Sequence, residues 1–196
     1  MVKSAGSGRD SRRHSTQRRI SRSAQQLAAA HGLDGFTMDD LAAAAEVSRR
    51  TLFNYFPGKD AAVLGSSPEL DPAAAETFRA GGPTGHLVDD LMVIVATVAE
   101  DEDLSREEVR TVHDLMAAEP RLFAAARDQF EEMVQGLLGL IESREGPAYD
   151  EERARVVVRV LAALFDLALT DYVTRPDRDL MDLFAATLDK ARAAFA

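Results

Sequence analysis

Apolar residues recur along this chain at intervals of three and four rather than two, and Pro or Gly interrupts the pattern where it loses phase. A period near 3.6 residues predicts helices, and the alternation of a half-buried strand is almost missing. A first helix is expected over residues 15–31. Ile20, Ala24, Leu27, Ala28 and Ala30 supply its apolar face, and Gly32 takes the C-terminal stop. Thr37 can cap a second short helix, residues 40–45, and Asp39 and Asp40 suit the positive end of its dipole. Ser48 caps a third, residues 49–56, which Pro57 and Gly58 end, and Lys59 opens a fourth toward Leu64. Past the loop-like stretches 65–72 and 81–85, helices are expected at 73–80, 86–101, 106–118, 121–144, 150–174 and 177–195. Pro120, Pro147 and Pro176 each fall in a break. The fold class is therefore all-α, with no internal repeat.

Residues 37–56, TMDDLAAAAEVSRRTLFNYF, have the form of a helix-turn-helix: two short helices, a turn of three or four residues, and small residues that permit a close crossing. Leu41 and Ala44 mark the inner face of the first helix, Leu52 and Phe56 that of the second. In such a unit the second helix lies in the major groove, and residues near its N-terminus reach base edges. Here those are Ser48, Arg49, Arg50 and Thr51. A guanidinium can bond guanine O6 and N7 together, or pair with a phosphate. A purely structural helical hairpin with a solvated arginine pair fits the same pattern.

Charge separates these readings. The chain has 196 residues and a formal net charge of −10, which by itself argues against nucleic acid as a partner. Residues 1–60, however, hold ten Lys and Arg against six acids, a net of +4, so the remaining residues carry −14. Seven of those cations, Arg18 and Arg19 among them, lie within residues 1–22, upstream of the hairpin and able to reach an adjacent groove or the backbone. A basic end joined to an acidic body is the footprint of a nucleic-acid reader. The expected domains are a flexible basic arm over 1–14, a DNA-binding domain over 15–60, and a helical body over 61–196, to which the resemblance that follows assigns effector binding and dimerisation.

At this point a family resemblance is evident. Residues 16–64, TQRRISRSAQQLAAAHGLDGFTMDDLAAAAEVSRRTLFNYFPGKDAAVL, closely resemble the DNA-binding domain of the TetR family of bacterial transcriptional regulators. Gly35 and Phe36, Thr37, Leu41 and Ala42, Val47 and Ser48, Thr51 and Leu52, Phe53, Tyr55, Phe56 and Lys59 are all in register. The resemblance implies a homodimer of all-helical subunits that binds a palindromic operator on double-stranded DNA and releases it when a small molecule enters the C-terminal domain. It implies Thr37 as a phosphate contact, Ser48 to Thr51 as reading positions, Tyr55 as a backbone contact and Lys59 as a phosphate clamp. Three residues depart from the family pattern. Glu46 stands where the turn usually has Gly, so the turn must change geometry or accept strain. Arg50 replaces a frequent Gly and adds a possible contact, and Phe53 replaces a frequent Tyr, removing a hydroxyl.

In residues 150–174 a narrow polar stripe of Glu152, Arg155, Arg159, Asp166 and Thr170 spans roughly 60° of the helix, and nearly all else is apolar. Such a helix needs cover on most sides. The resemblance puts the last two helices in a dimeric bundle, with Ala162, Leu169, Leu180, Leu183, Phe184, Leu188 and Phe195 as contributors; packing within one subunit is the other possibility. Met92, Thr97, His113, Met116, Phe123, Phe130, Met133 and Phe165 are the candidate effector residues, with Val112, Leu137 and Tyr172 beside them. Their bulk and flexibility suit a hydrophobic effector, and for most of them packing into the core is the simpler reading. His113 shares a helical face with Val109, Val112 and Met116.

No enzyme is expected. Cys is absent, the four His have no metal spacing, and GGPTG at 81–85 lacks the lysine and the strand of a phosphate loop. Asp89 and Asp90 read as solvated acids. No metal or cofactor is implied. No apolar run approaches the ~20 residues of a membrane span, and a secretory leader is not apparent, so a cytoplasmic location is expected. The chain thus reads as a ligand-responsive transcriptional repressor. The competing reading is a helical small-molecule or protein-binding module that has lost DNA binding, for which Glu46 and Phe53 are the support.

Overall fold

The computed structural model describes residues 7–66, 70–102 and 105–195. Ten α-helices occur among them: α1 (Ser7–His31), α2 (Met38–Ala44), α3 (Arg49–Tyr55), α4 (Lys59–Leu64), α5 (Pro72–Arg79), α6 (Leu87–Glu102), α7 (Arg106–Ala118), α8 (Pro120–Glu145), α9 (Glu151–Thr174) and α10 (Leu180–Phe195). No strand appears among the described residues. The elements divide into two compact units. The first takes the described residues up to 66 together with Arg110–Asp128, and the second takes the rest.

In the first unit α1 begins at Ser7, eight residues before the expected start. The arm expected over 1–14 is therefore helical from residue 7, because no proline interrupts it and arginine is a good helix former; residues 1–6 lie outside the described residues. Ile20, Ala24 and Ala28 on α1 are buried against Leu41 of α2, Leu52 of α3 and Ala62 and Val63 of α4. Gln25 of α1 donates to the Val63 carbonyl at 3.0 Å. Leu115 and Leu122 complete this core, which is why the unit extends beyond the expected boundary at 60 and takes in a distant stretch of chain. Gly35 is required where it stands, since a Cβ there would lie 2.1 Å from the His31 carbonyl oxygen.

The second unit packs Phe78, Leu91, Ile94, Val134, Ile141, Val158, Leu183 and Phe184 into a separate core. Phe165 meets Phe184 edge to face, with centroids 5.1 Å apart. Leu180, Leu183, Phe184 and Leu188, expected to face a partner subunit, are buried inside this core. Ala162 and Leu169 are half-buried, and the Phe195 side chain lies outside the described residues. The apolar residues that α9 leaves uncovered are Val156, Val160 and Leu167, at 62%, 46% and 57% exposure. With Ala163 they follow i, i+4, i+7, i+11 spacing, a single stripe along the helix.

Asp90 also departs from expectation, being fully buried rather than solvated. Its Oδ1 accepts from the backbone N–H and the hydroxyl of Thr84, both at 2.7 Å, and its Oδ2 accepts from Arg144 at 2.6 Å. Arg144 donates further to the carbonyls of Phe78 and Gly81 and stacks on the Phe78 ring at 4.7 Å. Burial raises the pKa of the Asp90 carboxyl. The Thr84 backbone and hydroxyl bonds and the Arg144 guanidinium outweigh that effect and hold it below the usual carboxylate range. The neighbouring Asp89 is a surface residue paired with Arg192 at 2.6 Å.

Candidate nucleic-acid interface

Helices α2 and α3 are each only seven residues long, too short to hold their shape without caps. Thr37 and Asp40 form a capping box at the start of α2: the Asp40 N–H donates to the Thr37 hydroxyl oxygen, and the Thr37 N–H donates back to Asp40 Oδ2 at 2.8 Å. The Thr37 hydroxyl also donates to that carboxylate, at 2.7 Å. These bonds, the hydroxyl's first, hold the Asp40 carboxyl below its ordinary pKa. Both donors of Thr37, the expected phosphate contact, are thus engaged by Asp40.

The turn keeps the geometry a glycine would give it. Glu46 has φ of +51°, the one positive φ at a non-glycine residue among those described. Its N–H donates to the Ala43 carbonyl at 3.1 Å, and the Val47 N–H to the Ala42 carbonyl at 3.0 Å. This is the paired bonding of a Schellman stop, with a glutamate in the left-handed position. Of the two outcomes expected from the missing glycine, backbone strain is the one the chain shows.

Ser48 caps α3 by accepting from the Thr51 N–H at 3.0 Å, and the two hydroxyls lie 2.7 Å apart. Arg49 and Arg50 are both exposed, but their surroundings differ. Nη1 of Arg49 donates to both Asp39 carboxylate oxygens, at 2.9 and 2.8 Å, and its guanidinium lies 5.5 Å from the centroid of the Phe53 ring. The Arg50 side chain has no hydrogen-bond or ion-pair partner among the described residues. On α1, Arg19 is exposed and Arg18 half-buried. Tyr55 is half-buried against the core of the unit.

Lys59 is placed differently from the expected phosphate clamp. Its ammonium donates to the Leu33 carbonyl and, at 2.9 Å, to the Phe36 carbonyl, and it sits 5.0 Å from the Phe36 ring. It ties the start of α4 to the loop between α1 and α2. A sequence pattern of basic residues does not distinguish this use from a free cation, because the carbonyls involved belong to residues more than twenty positions away.

The eight candidate effector residues are not gathered into one site. His113, Met116 and Phe123 belong to the first unit, and Met92, Thr97, Phe130, Met133 and Phe165 to the second. His113 is exposed beside Asp114 rather than on an apolar face, and Phe123 is 66% exposed. The Thr97 hydroxyl donates within its own helix to the Val93 carbonyl at 2.9 Å. An open groove of about 350 Å³ on the second unit is lined by Phe130, Arg159, Ala162, Ala163 and Asp166, and so takes one member of the set. Among the described residues no cluster of His, Asp and Glu has the form of a metal site, and no helix is long and apolar enough to cross a membrane.

Comparison with known proteins bears on these helices directly. Residues 20–64 match the model of the bacterial regulatory proteins, tetR family. The chain is 29% identical over 187 residues to the HTH-type transcriptional regulator TcmR of Streptomyces glaucescens, covering 90% of this chain and 83% of that protein. Over 50 residues it is 48% identical to MftR of Mycobacterium tuberculosis, named for regulation of mycofactocin biosynthesis, covering 26% and 25% of the two chains. In fold it is similar to a crystal structure assigned to the TetR-family regulators from Mesorhizobium loti, with a TM-score of 0.50 at 15% identity over 91% of this chain and 96% of that one.

Proposed function

Given that the chain belongs to the TetR family of bacterial transcriptional regulators, and is a regulator rather than an enzyme, we propose that it is a dimeric repressor that binds a palindromic operator and is released by a small hydrophobic effector. The observation that carries the DNA-binding part is the capped α3, which presents Arg49 and Arg50 to solvent from its first turn on a unit whose other helices fix its position. Arg19 on α1 adds a further exposed cation.

Dimerisation is supported by the uncovered stripe of Val156, Val160, Ala163 and Leu167 on α9, which an isolated subunit would leave against water. Two copies of α3 would then read successive major grooves, roughly 34 Å apart. An effector that binds better to a dimer with another spacing lowers operator occupancy by population shift. The open groove on the second unit, with Phe130 and Ala162 as apolar wall and Arg159 and Asp166 as polar groups, is one concavity such a molecule could use. Such a regulator acts in the cytoplasm, where bacterial DNA is.

Fluorescence titration of the full chain against the promoter DNA beside its own gene tests this reading. Binding should weaken steeply with salt, and Arg49→Ala and Arg50→Ala should each reduce it. Salt-insensitive binding, or unchanged binding in both variants, would show the assigned surface to be wrong.

A further inference from the structure

Arg49 is held from two sides by residues whose contacts the helix-turn-helix pattern leaves unassigned. Asp39, on α2, takes Nη1 with both carboxylate oxygens at 2.9 and 2.8 Å. Phe53, one turn further along α3, sets its ring 5.5 Å from the guanidinium carbon. That ring is 44% exposed, a large apolar side chain that the core does not use. The Nε and Nη2 protons of Arg49 have no partner among the described residues. Arg50, next along the helix, makes no ion pair and no ring contact among the described residues.

We propose that Asp39 and Phe53 are positioning residues that make Arg49 the guanine-reading arginine and leave Arg50 to pair with backbone phosphate; this rests on the DNA-binding reading above. A free arginine must lose rotamer freedom when it reaches a base, and one already bracketed by a carboxylate and an aromatic face has lost much of it beforehand. With Nη1 occupied, the edge that remains carries Nε and Nη2, two parallel N–H donors of the spacing that guanine O6 and N7 accept. The carboxylate has a second effect. The Arg49–Asp39 pair is neutral as a whole, so it adds little to the sequence-independent attraction of phosphate for cations, while its hydrogen bonds to a base edge remain. The bracket exchanges general affinity for discrimination. It also accounts for phenylalanine at position 53, where a hydroxyl is dispensable and a ring face is used.

The test is enrichment of random duplex DNA by the full-length chain and its variants, followed by titration on the enriched duplex and on copies with one base changed; thermal melts by circular dichroism confirm folding. The wild type should enrich a guanine at one position of each half-site, and Arg49→Ala should lose that preference. Asp39→Ala should weaken the same preference roughly tenfold while binding unrelated duplex as well as or better than the wild type. Asp39→Asn, which keeps an acceptor, should lose less, and Phe53→Leu should lose part. Arg50→Ala should weaken all duplexes alike and lower the salt slope by about one contact. The proposal fails if Asp39→Ala and Asp39→Asn keep the wild-type preference at the base that Arg49→Ala loses, or if Arg50→Ala abolishes a base preference and Arg49→Ala does not. If the wild type enriches no sequence, the DNA-binding reading itself falls and takes this inference with it.

Discussion

Each unit of the molecule contains an arginine–aspartate pair of similar contact distance, 2.8 Å for Arg49 with Asp39 and 2.6 Å for Arg144 with Asp90. Their surroundings differ completely. The first pair has side chains 65% and 64% exposed, the second 5% and 0%. At the surface, water screens the attraction, and the pair leaves the Nε and Nη2 edge of Arg49 open to a further ligand. In the interior no exchange is possible, because a carboxylate without its guanidinium would stand uncompensated in a poor solvent for charge. The same chemistry therefore serves the proposed reading of DNA in one unit and is a fastening in the other, where it joins the loop after α5, the start of α6 and the end of α8.

The largest effect that separates the two pairs is on stability. Asp90→Ala leaves Arg144 buried without its carboxylate and is expected to cost about 3–5 kcal/mol, measured by urea unfolding of the full chain. Asp39→Ala should cost less than about 1 kcal/mol in the same assay. Equal losses in the two variants would break the comparison. The pH dependence follows from the depressed pKa of Asp90. A carboxyl whose folded pKa lies below its unfolded value contributes stability that is fully present above about pH 4 and is lost as pH falls through the folded value. The stability gap between wild type and Asp90→Asn should accordingly hold from pH 7 to about 5 and narrow below 4. A gap that stays constant to pH 2.5 would mean that the charge of Asp90 contributes nothing.

The next effect concerns assembly. If the proposed dimer forms through the α9 stripe, a charge placed there by Val160→Glu should give a monomer in sedimentation velocity where the wild type gives a dimer, with little change in helix content, since Val160 is 46% exposed and lies outside the core. The matching change at a buried neighbour, Leu161→Glu, should instead unfold the second unit, because Leu161 is 7% exposed. If Val160→Glu unfolds the chain as Leu161→Glu does, the stripe is packed rather than free.

What was legible in the sequence follows the range of the interactions involved. Helix periods, breaks and caps are local, and α2, α3 and α4 stand within two residues of where Thr37, Ser48, Pro57 and Lys59 put them. The place of Ser48 to Thr51 at the start of α3 is legible too, because it is defined by distance from a cap. Asp90 was not, since adjacent acids at a helix start have the pattern of a solvated surface, and the arginine that buries one of them is 54 residues away. Lys59 and Thr37 share a different difficulty: being cationic or carrying a hydroxyl does not reveal whether the donors are already spent on neighbouring carbonyls or on Asp40. For α9 the periodicity shows that nearly every side needs cover. It does not reveal that Leu180, Leu183 and Phe184 of α10 belong to the same subunit's core while Val156, Val160 and Leu167 remain outside.

The smallest effect tests the turn that leads into α3. Glu46 holds φ at +51°, a conformation that brings an L side chain close to its own carbonyl and costs about 1 kcal/mol. Glycine has no such contact but gains freedom in the unfolded chain, so Glu46→Gly should stabilise the first unit by about 0.5 kcal/mol net of that entropy. The same change removes a negative charge two residues before Ser48, which would strengthen DNA binding even with an unaltered backbone. Glu46→Ala separates the two causes, since it removes the charge and keeps the strain. Raised DNA affinity in both variants with raised stability in glycine alone is the expected result, read from urea midpoints and titrations at two salt concentrations. Should alanine stabilise as much as glycine, the glutamate's charge rather than its backbone is the source of the cost, and the positive φ is accommodated without penalty.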